Sequence, residues 1–439
     1  MKPVASFIGI TLILSVNLFA QSGWFAQTSG VIINLHSVYF VDANTGWAVG
    51  GDIILKTTNG GTTWSSQTIS LPNASSMLLE SVYFADANIG WAVGSVFAIP
   101  AGIRVGIILK TTNGGTTWDF QTAAVDELKS VYFVDSNIGW AVGDRGTIVK
   151  TTDGGATLPW PLQESGTTND LKSVYFVDSN TGWAVGSDII LKTTNGGTTW
   201  SSQTISLPNM FLMLLESIYF IDANIGWAVG SAFSSAGFVG IIFKTTNVGT
   251  TWVFQTTAVP TEVFALESVY FSDTNTGWAV GGIGAIVKTT DGGVTCPWSL
   301  QESGTTNDLY SVYFVDANTG WVVGTNGAIL KTTSGGAVTS VEKSEDLIST
   351  IPNEYELLQN YPNPFNPSTT IEFVLPKAEY VRLKVYNIRG EEVATVMEGN
   401  LSSGRHKSEW NANGFASGIY FYTLQTKSFF ESKKLIILK

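Results

Sequence analysis

Short stretches in which apolar and polar residues alternate recur along most of the chain, separated by turns rich in Asn, Asp and Gly. One such unit reads SVYFVD, a DANTG turn, GWAVG, a variable link, IILKTT, an NGG turn and TTWSSQT. Alternation over about four to eight residues predicts strands. Asn and Asp bond to their own backbone and Gly accepts a positive φ, so these turns suit sharp reversals. Each unit therefore predicts four short antiparallel strands.

The unit is repeated seven times. The string SVYFVDANTGWAVG at 37–50 returns in six variants, and their tryptophans are spaced 43 to 51 residues apart. That period is typical of a four-stranded propeller blade. The tryptophans of this series are Trp47, Trp91, Trp140, Trp183, Trp227, Trp278 and Trp321.

The two ends of the repeated region complement each other. The seventh unit lacks the TTWxxQ segment, whereas SGWFAQTSG at 22–30 offers an unattached one that contains Trp24. We expect residues 22–29 to form the outer strand of the blade whose other strands lie in 309–333, because this pairing removes an open sheet edge. The sequence thus predicts an all-β fold, a seven-bladed β-propeller closed by its N-terminal strand.

The regions outside the repeats predict further segments. An apolar run from Val4 to Phe19 follows Lys2, and we interpret it as a secretory signal removed near Ala20; an uncleaved membrane anchor is the alternative. Beyond the repeats, runs with period-two alternation predict a small C-terminal Ig-like β-sandwich. The expected organisation is a signal peptide at 1–20, the propeller at 21–335, a linker at 336–356 and the C-terminal domain at 357–439.

Composition narrows the possible chemistry. The 439 residues carry a net charge of -12, so nucleic acid is not an expected partner. The histidines are His36 and His406, and any catalytic arrangement would rest on a single imidazole. The lone Cys296 excludes an internal disulfide, and we expect it to be a buried apolar residue.

The repeated acids predict turns, not metal ligands. Asp42 and its six equivalents are each followed two residues later by Asn, as in a calcium loop. The position eleven after Asp42 is Ile53, where a calcium loop would have a bidentate Glu. We therefore predict Asx turns and neither a metal nor a cofactor. The tryptophans recur at every hairpin, which favours packing over sugar stacking.

The repeats also resemble known proteins. TTNGGTTW at 57–64 resembles the Asp-box hairpin of sialidases, and Asp153 and Asp291 keep its acid. The whole unit, with GWAVG and KTTxGG, resembles the photosystem II stability/assembly factor family of seven-bladed propellers over 24–333. That resemblance implies an assembly partner docked through an arginine-rich patch, but only Arg104 and Arg145 occur in this region. The same two arginines are too few for the arginine triad of a sialidase.

The C-terminal segment resembles a different family. LLQNYPNPFNPSTTIEF, VYNIRGEEV, FASGIYFY and the terminal KLIILK resemble the type A C-terminal sorting domain of the type IX (Por) secretion system. The resemblance implies that the secretion machinery is a partner and that membrane passage is only transient. It also implies a secreted or outer cell-surface location after passage through the periplasm. The expected sorting motif comprises Asn360, Pro362, Asn363, Pro364, Gly390, Gly418, Tyr420 and Lys439.

Specificity is expected where the repeats differ. The links between second and third strands and those between blades emerge on one face, and they are long and apolar in units two and five. Loops on a rigid scaffold commonly carry binding, although these links could instead fold back as local packing. The candidate binding residues are Met77, Ile99, Ile103, Met210, Phe211, Met213 and Phe233.

These observations favour a monomeric, non-catalytic propeller that is exported and binds a protein or glycan partner. One alternative is a glycan hydrolase or lyase, which needs a converging carboxylate pair. Its candidates on the variable links are Asp126, Glu127 and Glu262. The other alternative is an assembly factor for a membrane complex.

Overall fold

Strands make up nearly all of the regular structure in the computed structural model. The only helical segments among the described residues are three single 3-10 turns, at Asp144–Gly146, Gly282–Gly284 and Thr325–Gly327. In this part of the chain, no helix is long and apolar enough to cross a bilayer. The chain divides into two compact units between residues 340 and 341. The structure describes residues 23–69, 74–98, 102–122, 126–205, 207, 211–235, 237–255, 263, 265–294, 298–337 and 355–438.

The described residues of the first unit form seven four-stranded antiparallel sheets, numbered here along the chain. Sheet 1 consists of Ser37–Phe40, Gly46–Gly50, Ile53–Thr57 and Ser65–Ser66, and sheet 2 of Ala74–Phe84, Gly90–Ala98, Ile103–Thr111 and Asp119–Thr122. Sheet 3 consists of Leu128–Phe133, Gly139–Gly143, Ile148–Thr151 and Leu162–Gln163, and sheet 4 of Leu171–Phe176, Gly182–Gly186, Ile189–Thr193 and Ser201–Gln203. Sheet 5 consists of Leu212–Phe220, Gly226–Ser234, Gly237–Thr245 and Val253–Phe254, and sheet 6 of Leu266–Phe271, Gly277–Gly281, Ile286–Thr289 and Ser299–Gln301. Sheet 7 consists of Leu309–Phe314, Gly320–Gly324, Ile329–Gly336 and the N-terminal Gly23–Gln27.

The second strand of each sheet lies in the core. Its GWAVG or GWVVG sequence is buried at every position in all seven sheets. Uninterrupted burial means that both faces of this strand are covered, as expected for a sheet packed between two neighbours. Hydrophobic clusters accordingly combine residues from adjacent sheets, such as Trp47 of sheet 1 with Phe84 of sheet 2.

Flat aromatic stacks join successive sheets. The tryptophan of one GWAVG strand stacks on the phenylalanine that ends the first strand of the next sheet, with ring centroids 3.5 to 3.7 Å apart. At this separation the two rings overlap almost face to face, and each stack buries a tryptophan and a phenylalanine between two sheets. The stacked pairs are Trp47 and Phe84, Trp91 and Phe133, Trp140 and Phe176, Trp183 and Phe220, Trp227 and Phe271, Trp278 and Phe314, and Trp321 and Phe40.

Hydrogen bonds repeat the same sheet-to-sheet connection. The serine of each SVYF or SIYF segment accepts a hydrogen bond from a backbone N–H of the following sheet, for example Ser37 Oγ from Val82. Sheet 7 makes this bond to sheet 1, because Ser311 Oγ accepts from the Val38 N–H at 3.2 Å. Seven such bonds occur. The contacts that join sheets 1 and 2 therefore also join sheets 7 and 1.

The N-terminal strand belongs to sheet 7. Gly23–Gln27 pairs antiparallel with Ile329–Gly336, and Trp24 is buried. Trp24 meets Phe314 edge-on at 5.8 Å, as Trp64 meets Phe40 in sheet 1. It thus occupies the position that the outer tryptophan of the repeat occupies in the other sheets. The first unit has an all-β propeller fold with almost no helix.

The second unit is a sandwich of two sheets with one core. One sheet orders its strands as Glu356–Leu357, Ser368–Leu375 and Gly404–Asn411. The other orders them as Glu392–Leu401, Glu379–Asn387, Gly418–Gln425 and Phe430–Ile437. Side chains from both sheets, including Phe373 and Leu424, are buried together in this core.

One residue interrupts the regular pattern of the first unit. In six copies the indole N–H of the GWAVG tryptophan donates to the first glycine carbonyl of the next NGG or equivalent turn, as Trp140 does to Gly196 at 3.2 Å. Val248 replaces that glycine in sheet 5, and its φ is 64°. The indole N–H of Trp183, which faces this turn, has no hydrogen-bond partner among the residues that the structure describes. A β-branched residue at positive φ is strained.

Replacing this valine by glycine is expected to stabilise the protein. Val248→Gly removes the left-handed strain and allows the Trp183 bond that the other copies make, so the free energy of unfolding should rise by about 1 kcal/mol. Chemical denaturation measures the change. The matched control is Gly196→Val, which should lower stability because φ is 67° there and a Cβ would lie 2.7 Å from the Ser179 carbonyl oxygen. Equal stability of both variants would contradict this account.

Candidate functional site

One cavity of the first unit is lined by a single side chain from each of the seven repeats. Its volume is about 250 Å³. Its walls contain groups of both charges together with an imidazole and a phenol. The lining residues are His36, Glu80, Lys129, Lys172, Glu216, Glu267 and Tyr310. We call it the central cavity.

A backbone irregularity directs these side chains. Each lining residue directly precedes the serine of SVYF or SIYF. In sheet 5 Leu215 pairs with Gly230 and Ser217 with Val229, which leaves Glu216 as an extra residue. Sheets 2, 3, 4, 6 and 7 have the same register shift. Such bulges change the direction of a side chain, and here they bring non-repeated residues into one cavity.

The last glycine of GWAVG makes room for the bulge. A Cβ on Gly230 would lie 1.9 Å from the Leu214 carbonyl oxygen, and one on Gly143 would lie 1.9 Å from that of Glu127. No side chain fits at such a distance. The repeated motif and the variable lining residue are therefore parts of the same local structure.

On one side of the cavity the charges are paired. Glu80 contacts the His36 Nδ1 at 2.8 Å and the Lys129 Nζ at 2.9 Å, and Lys129 also contacts Glu127. Burial tends to raise the pKa of Glu80, but the hydrogen bonds to His36 and Lys129 and the lysine charge lower it to about 2. Tyr310 meets His36 edge-on at 5.4 Å. This side is internally satisfied.

The other side of the cavity contains two carboxylates. Glu216 and Glu267 are half-buried, and neither has a hydrogen bond or an ion pair with any residue that the structure describes. Burial raises the pKa of Glu216, and the charge of Lys172 opposes this shift. Burial, together with the charges of Glu216 and Asp308, raises the pKa of Glu267 to about 7, again against Lys172. These two groups can accept a ligand's hydrogen bonds or its positive charge.

A ring of tyrosines follows three residues further along the same strands. Neighbouring rings are 4.6 to 5.3 Å apart, and the series includes the pair Tyr39 and Tyr313. Burial is the largest cause that raises the pKa of these phenols, so they stay neutral. The seven members are Tyr39, Tyr83, Tyr132, Tyr175, Tyr219, Tyr270 and Tyr313.

The candidate binding residues lie on extended hairpins of sheets 2 and 5. Ile103, Phe211 and Phe233 are 57%, 74% and 41% exposed, and Met77 is half-buried. Met213 is only 8% exposed and packs in the cluster that contains Trp183, so its side chain does not add to the exposed apolar surface. In sheets 2 and 5 the first three strands are nine to eleven residues long. Parts of the variable links therefore belong to these strands. Ile99 and Met210 lie outside the described residues.

The candidate catalytic acids have basic partners. Asp126 pairs with Arg145 and Glu127 with Lys129, while Glu262 lies outside the described residues. Neither Asp126 nor Glu127 lines the central cavity. The two unpartnered carboxylates of the central cavity, Glu216 and Glu267, were not among the sequence candidates.

The repeated acids and lysines have structural roles. Asp42 Oδ1 accepts hydrogen bonds from the N–H groups of Asn44 and Thr45, both at 2.7 Å, and the other copies repeat this Asx turn. Lys56 lies over the Trp47 ring and donates to the Gly114 carbonyl at 2.7 Å. Within the described residues no cluster of three or more His, Cys, Asp or Glu side chains could hold a metal ion. Cys296 lies outside them.

Several sorting-motif residues tie the start of the second unit to its last strands. Asn360 is buried; its backbone N–H donates to the Tyr422 hydroxyl, and its side-chain amide donates to Thr369 and to the Pro362 carbonyl. Asn363 Oδ1 accepts from the Ile436 N–H at 2.9 Å.

The other residues of the expected sorting motif lie in turns and strands of the same unit. Pro364 lies between Asn363 and the buried Phe365. Gly390 has a φ of 79°, Gly418 begins a strand, and the Tyr420 hydroxyl donates to Ala416. Lys439 lies outside the described residues.

Sequence reasoning missed the central cavity, although a signal was present. In the aligned units, the position before the serine reads His, Glu, Lys, Lys, Glu, Glu and Tyr, whereas the positions after it are nearly constant. A variable column beside constant columns marks the place where the repeats differ in chemistry.

The fold and the cavity define a β-propeller whose cavity is lined by one side chain per repeat. A family model described as photosynthesis system II assembly factor YCF48 matches residues 16–123, 156–254 and 240–333. The chain belongs to this family, which confirms the resemblance seen in the repeats.

Solved structures agree on the fold. "YCF48 bound to D1 peptide" is 20% identical with a TM-score of 0.56, and the match covers 71% of this chain and 97% of that one. "YCF48 from Cyanidioschyzon merolae" is 20% identical with a TM-score of 0.52, covering 70% and 98%. The WD40 β-propeller domain of Doa1 is 13% identical with a TM-score of 0.52, covering 73% and 98%. At these identities the similarity shows the fold alone.

The second unit matches a separate family. Residues 359–438 match the secretion system C-terminal sorting domain, which confirms the resemblance at this end and indicates export. No curated protein sequence matches the chain in a direct comparison.

Proposed function

We propose that this chain is an exported, non-catalytic propeller that binds a protein or glycan partner at the cell surface. The observation that carries this proposal is the exposed apolar surface on the hairpins of sheets 2 and 5. In sheet 5, Phe211 and Leu212 precede Glu216 on one strand, and Phe233 pairs with Leu212. The apolar tip, formed by Phe211, Leu212 and Phe233, therefore lies near the same end of this strand as Glu216 of the central cavity.

Of the two kinds of partner, protein and glycan, a protein is the better supported. One structural neighbour is a YCF48 protein bound to a D1 peptide, and this supports a peptide as the partner. The present chain has only Arg104 and Arg145 in the repeats, so its surface would select a different partner. The assembly-factor alternative remains a variant of this proposal, with a membrane complex as the partner.

Substitution of the apolar tip is expected to abolish partner binding. Phe211→Ser together with Phe233→Ser removes two exposed aromatic side chains, and we expect at least about a tenfold loss of affinity. A screen of the mature chain against surface proteins and a glycan array identifies the partner, and titration of each variant measures the effect. Leu162→Ser, at an exposed apolar site on the outer strand of sheet 3, is the matched control. Unchanged binding by the double variant would refute the proposed surface.

The scaffold in this proposal is a ring of seven blades that the N-terminal strand closes. Three observations support it: the strand pairing of Gly23–Gln27, the Trp321 stack on Phe40 and the Ser311 bond to Val38. A closed ring leaves no edge of sheet 7 open to another chain.

Deletion of residues 23–27 is therefore expected to lower the melting temperature by roughly 5 °C or more, because it exposes a sheet edge and removes the buried Trp24. Differential scanning calorimetry measures this. Trp24→Phe is the milder control and should lie between the deletion and the unaltered chain. A melting temperature that does not change on deletion would count against closure.

Export is proposed to follow the predicted organisation, with a signal at 1–20, the propeller at 21–335, a linker at 336–356 and the sorting domain at 357–439. The match to the sorting domain over residues 359–438 supports the last boundary, and the division of the chain between residues 340 and 341 supports an end of the propeller close to 335. The type IX machinery would recognise this domain and deliver the propeller to the outer surface or the medium.

Removal of residues 357–439 is expected to leave the propeller in the periplasm. Fractionation with immunoblotting measures its location in a host that has type IX secretion. An unrelated secreted protein fused to 357–439 is the control, and it should appear outside the cell. Normal export of the truncated chain would exclude a sorting role.

A further inference from the structure

The central cavity is small for a ligand site. About 250 Å³ lies below the roughly 300–1,000 Å³ of sites for drug-sized molecules. A single side chain that enters from a bound partner suits such a volume. The lining is polar, and three glutamates face two lysines, so an entering group has to be polar as well.

The pairing of these charges divides the cavity into two halves. Glu80 is held by His36 and Lys129, and the same lysine also neutralises Glu127. In the other half the charge of Lys172 acts on both Glu216 and Glu267, and the more distant Lys129 also acts on Glu216. Among the described residues, neither carboxylate forms an ion pair with either lysine. Half-buried carboxylates without partners are unfavourable, and an added cation would compensate them.

We propose that the central cavity receives a basic side chain of the protein partner, held between Glu216 and Glu267. This inference rests on the proposed function, because it takes the apolar tip as the surface that the partner covers. The ammonium of lysine and the guanidinium of arginine share the required chemistry: a positive charge with several N–H donors.

The path from the tip to the cavity fits an extended peptide. Leu212 lies four residues before Glu216 on the same strand, which corresponds to about 13 Å. An extended segment of about four residues spans that distance. A partner with apolar residues a few positions from a basic residue could therefore contact Phe211 and Phe233 while its cation reaches the cavity.

A glycan fits these observations less well. Sugars bind by stacking on exposed aromatic faces, and every described tryptophan is buried or half-buried. The exposed aromatic side chains of the tip, Phe211, Phe233 and Phe238, have no hydrogen-bonding group that could fix hydroxyl positions.

Simple probes test the cavity directly. The mature chain is titrated with N-acetyl-argininamide and N-acetyl-lysinamide at physiological ionic strength, about 0.15 M, with binding followed by NMR. We expect weak, saturable binding of both amides, with affinity of the order of 1 mM. The uncharged isostere N-acetyl-citrullinamide should not bind. Equal binding of the citrulline compound, or no binding of either cation, would overturn the proposal. Preferential binding of glucosamine over both amides would overturn the choice of a protein.

Variants locate the binding site. Glu216→Gln and Glu267→Gln should each weaken binding at least about fivefold, whereas Glu164→Gln, at an exposed acid of sheet 3, should leave it unchanged. Lys172→Met should tighten binding, because it removes a like charge from the same half of the cavity. A merely structural role for the glutamates would not produce opposite effects from the lysine and glutamate substitutions.

The pH dependence provides an independent measurement. The groups that act on Glu267 are Glu216, Asp308 and Lys172, and Tyr310 feels its charge in turn. Because the pKa of Glu267 is raised to about 7, this carboxyl loses its proton as the pH rises through that value, and binding of a cation should strengthen. Bound argininamide should lower the Glu267 pKa in a carboxyl NMR titration. An unmoved pKa at saturation would contradict contact with the cation.

The two proposals can fail separately. If the partner still binds tightly to the Glu216→Gln, Glu267→Gln double variant but not to the Phe211→Ser, Phe233→Ser variant, the cavity proposal fails and the surface stands. If both double variants bind the partner normally, the proposed function fails as well.

Discussion

The stacking of a tryptophan from one sheet on a phenylalanine from the next is the interaction on which the first unit depends. Every GWAVG tryptophan covers a ring that belongs to another repeat, so no sheet completes its own core. A repeat of this kind is stable only beside its neighbours. The Ser37 and Ser311 hydrogen bonds and the indole bonds to the glycine turns add direction to that contact and set the register between sheets.

These shared contacts leave few positions free to differ. The tryptophan, phenylalanine, tyrosine and serine of each unit all touch an adjacent unit, so a change there affects two sheets at once. The bulged residue before the serine and the hairpin tips do not carry this packing. The non-repeated chemistry of Glu216, Glu267 and Phe211 therefore lies where the scaffold tolerates variation, which is also where a partner could be recognised.

Much of the fold could be predicted because its signals are local. Alternation and the DANTG and NGG turns predict strands, and the recurrence of Trp47 predicts a propeller; the structural neighbours confirm that fold class. The site was harder to predict. Met213 is apolar and lies near a variable link, but strand alternation places it inside. Glu216 looks like an ordinary surface residue, because no sequence pattern reveals that a bulge directs it toward six residues from distant repeats. Local periodicity identifies strands, whereas the set of side chains that meet in one cavity depends on the register between the strands.

The residue before the serine also differs between repeats, so it breaks the rotational symmetry of the propeller. Seven nearly identical units would give a cavity in which a guest has seven equivalent settings. The seven lining positions hold four residue types, His, Glu, Lys and Tyr, so the sides of the cavity are unequal. Exchange of a single lining residue changes the chemistry of the cavity without altering the aromatic packing of the adjoining units. Repetition of the unit thus supplies the architecture, and one varied position per repeat supplies the chemistry of the cavity.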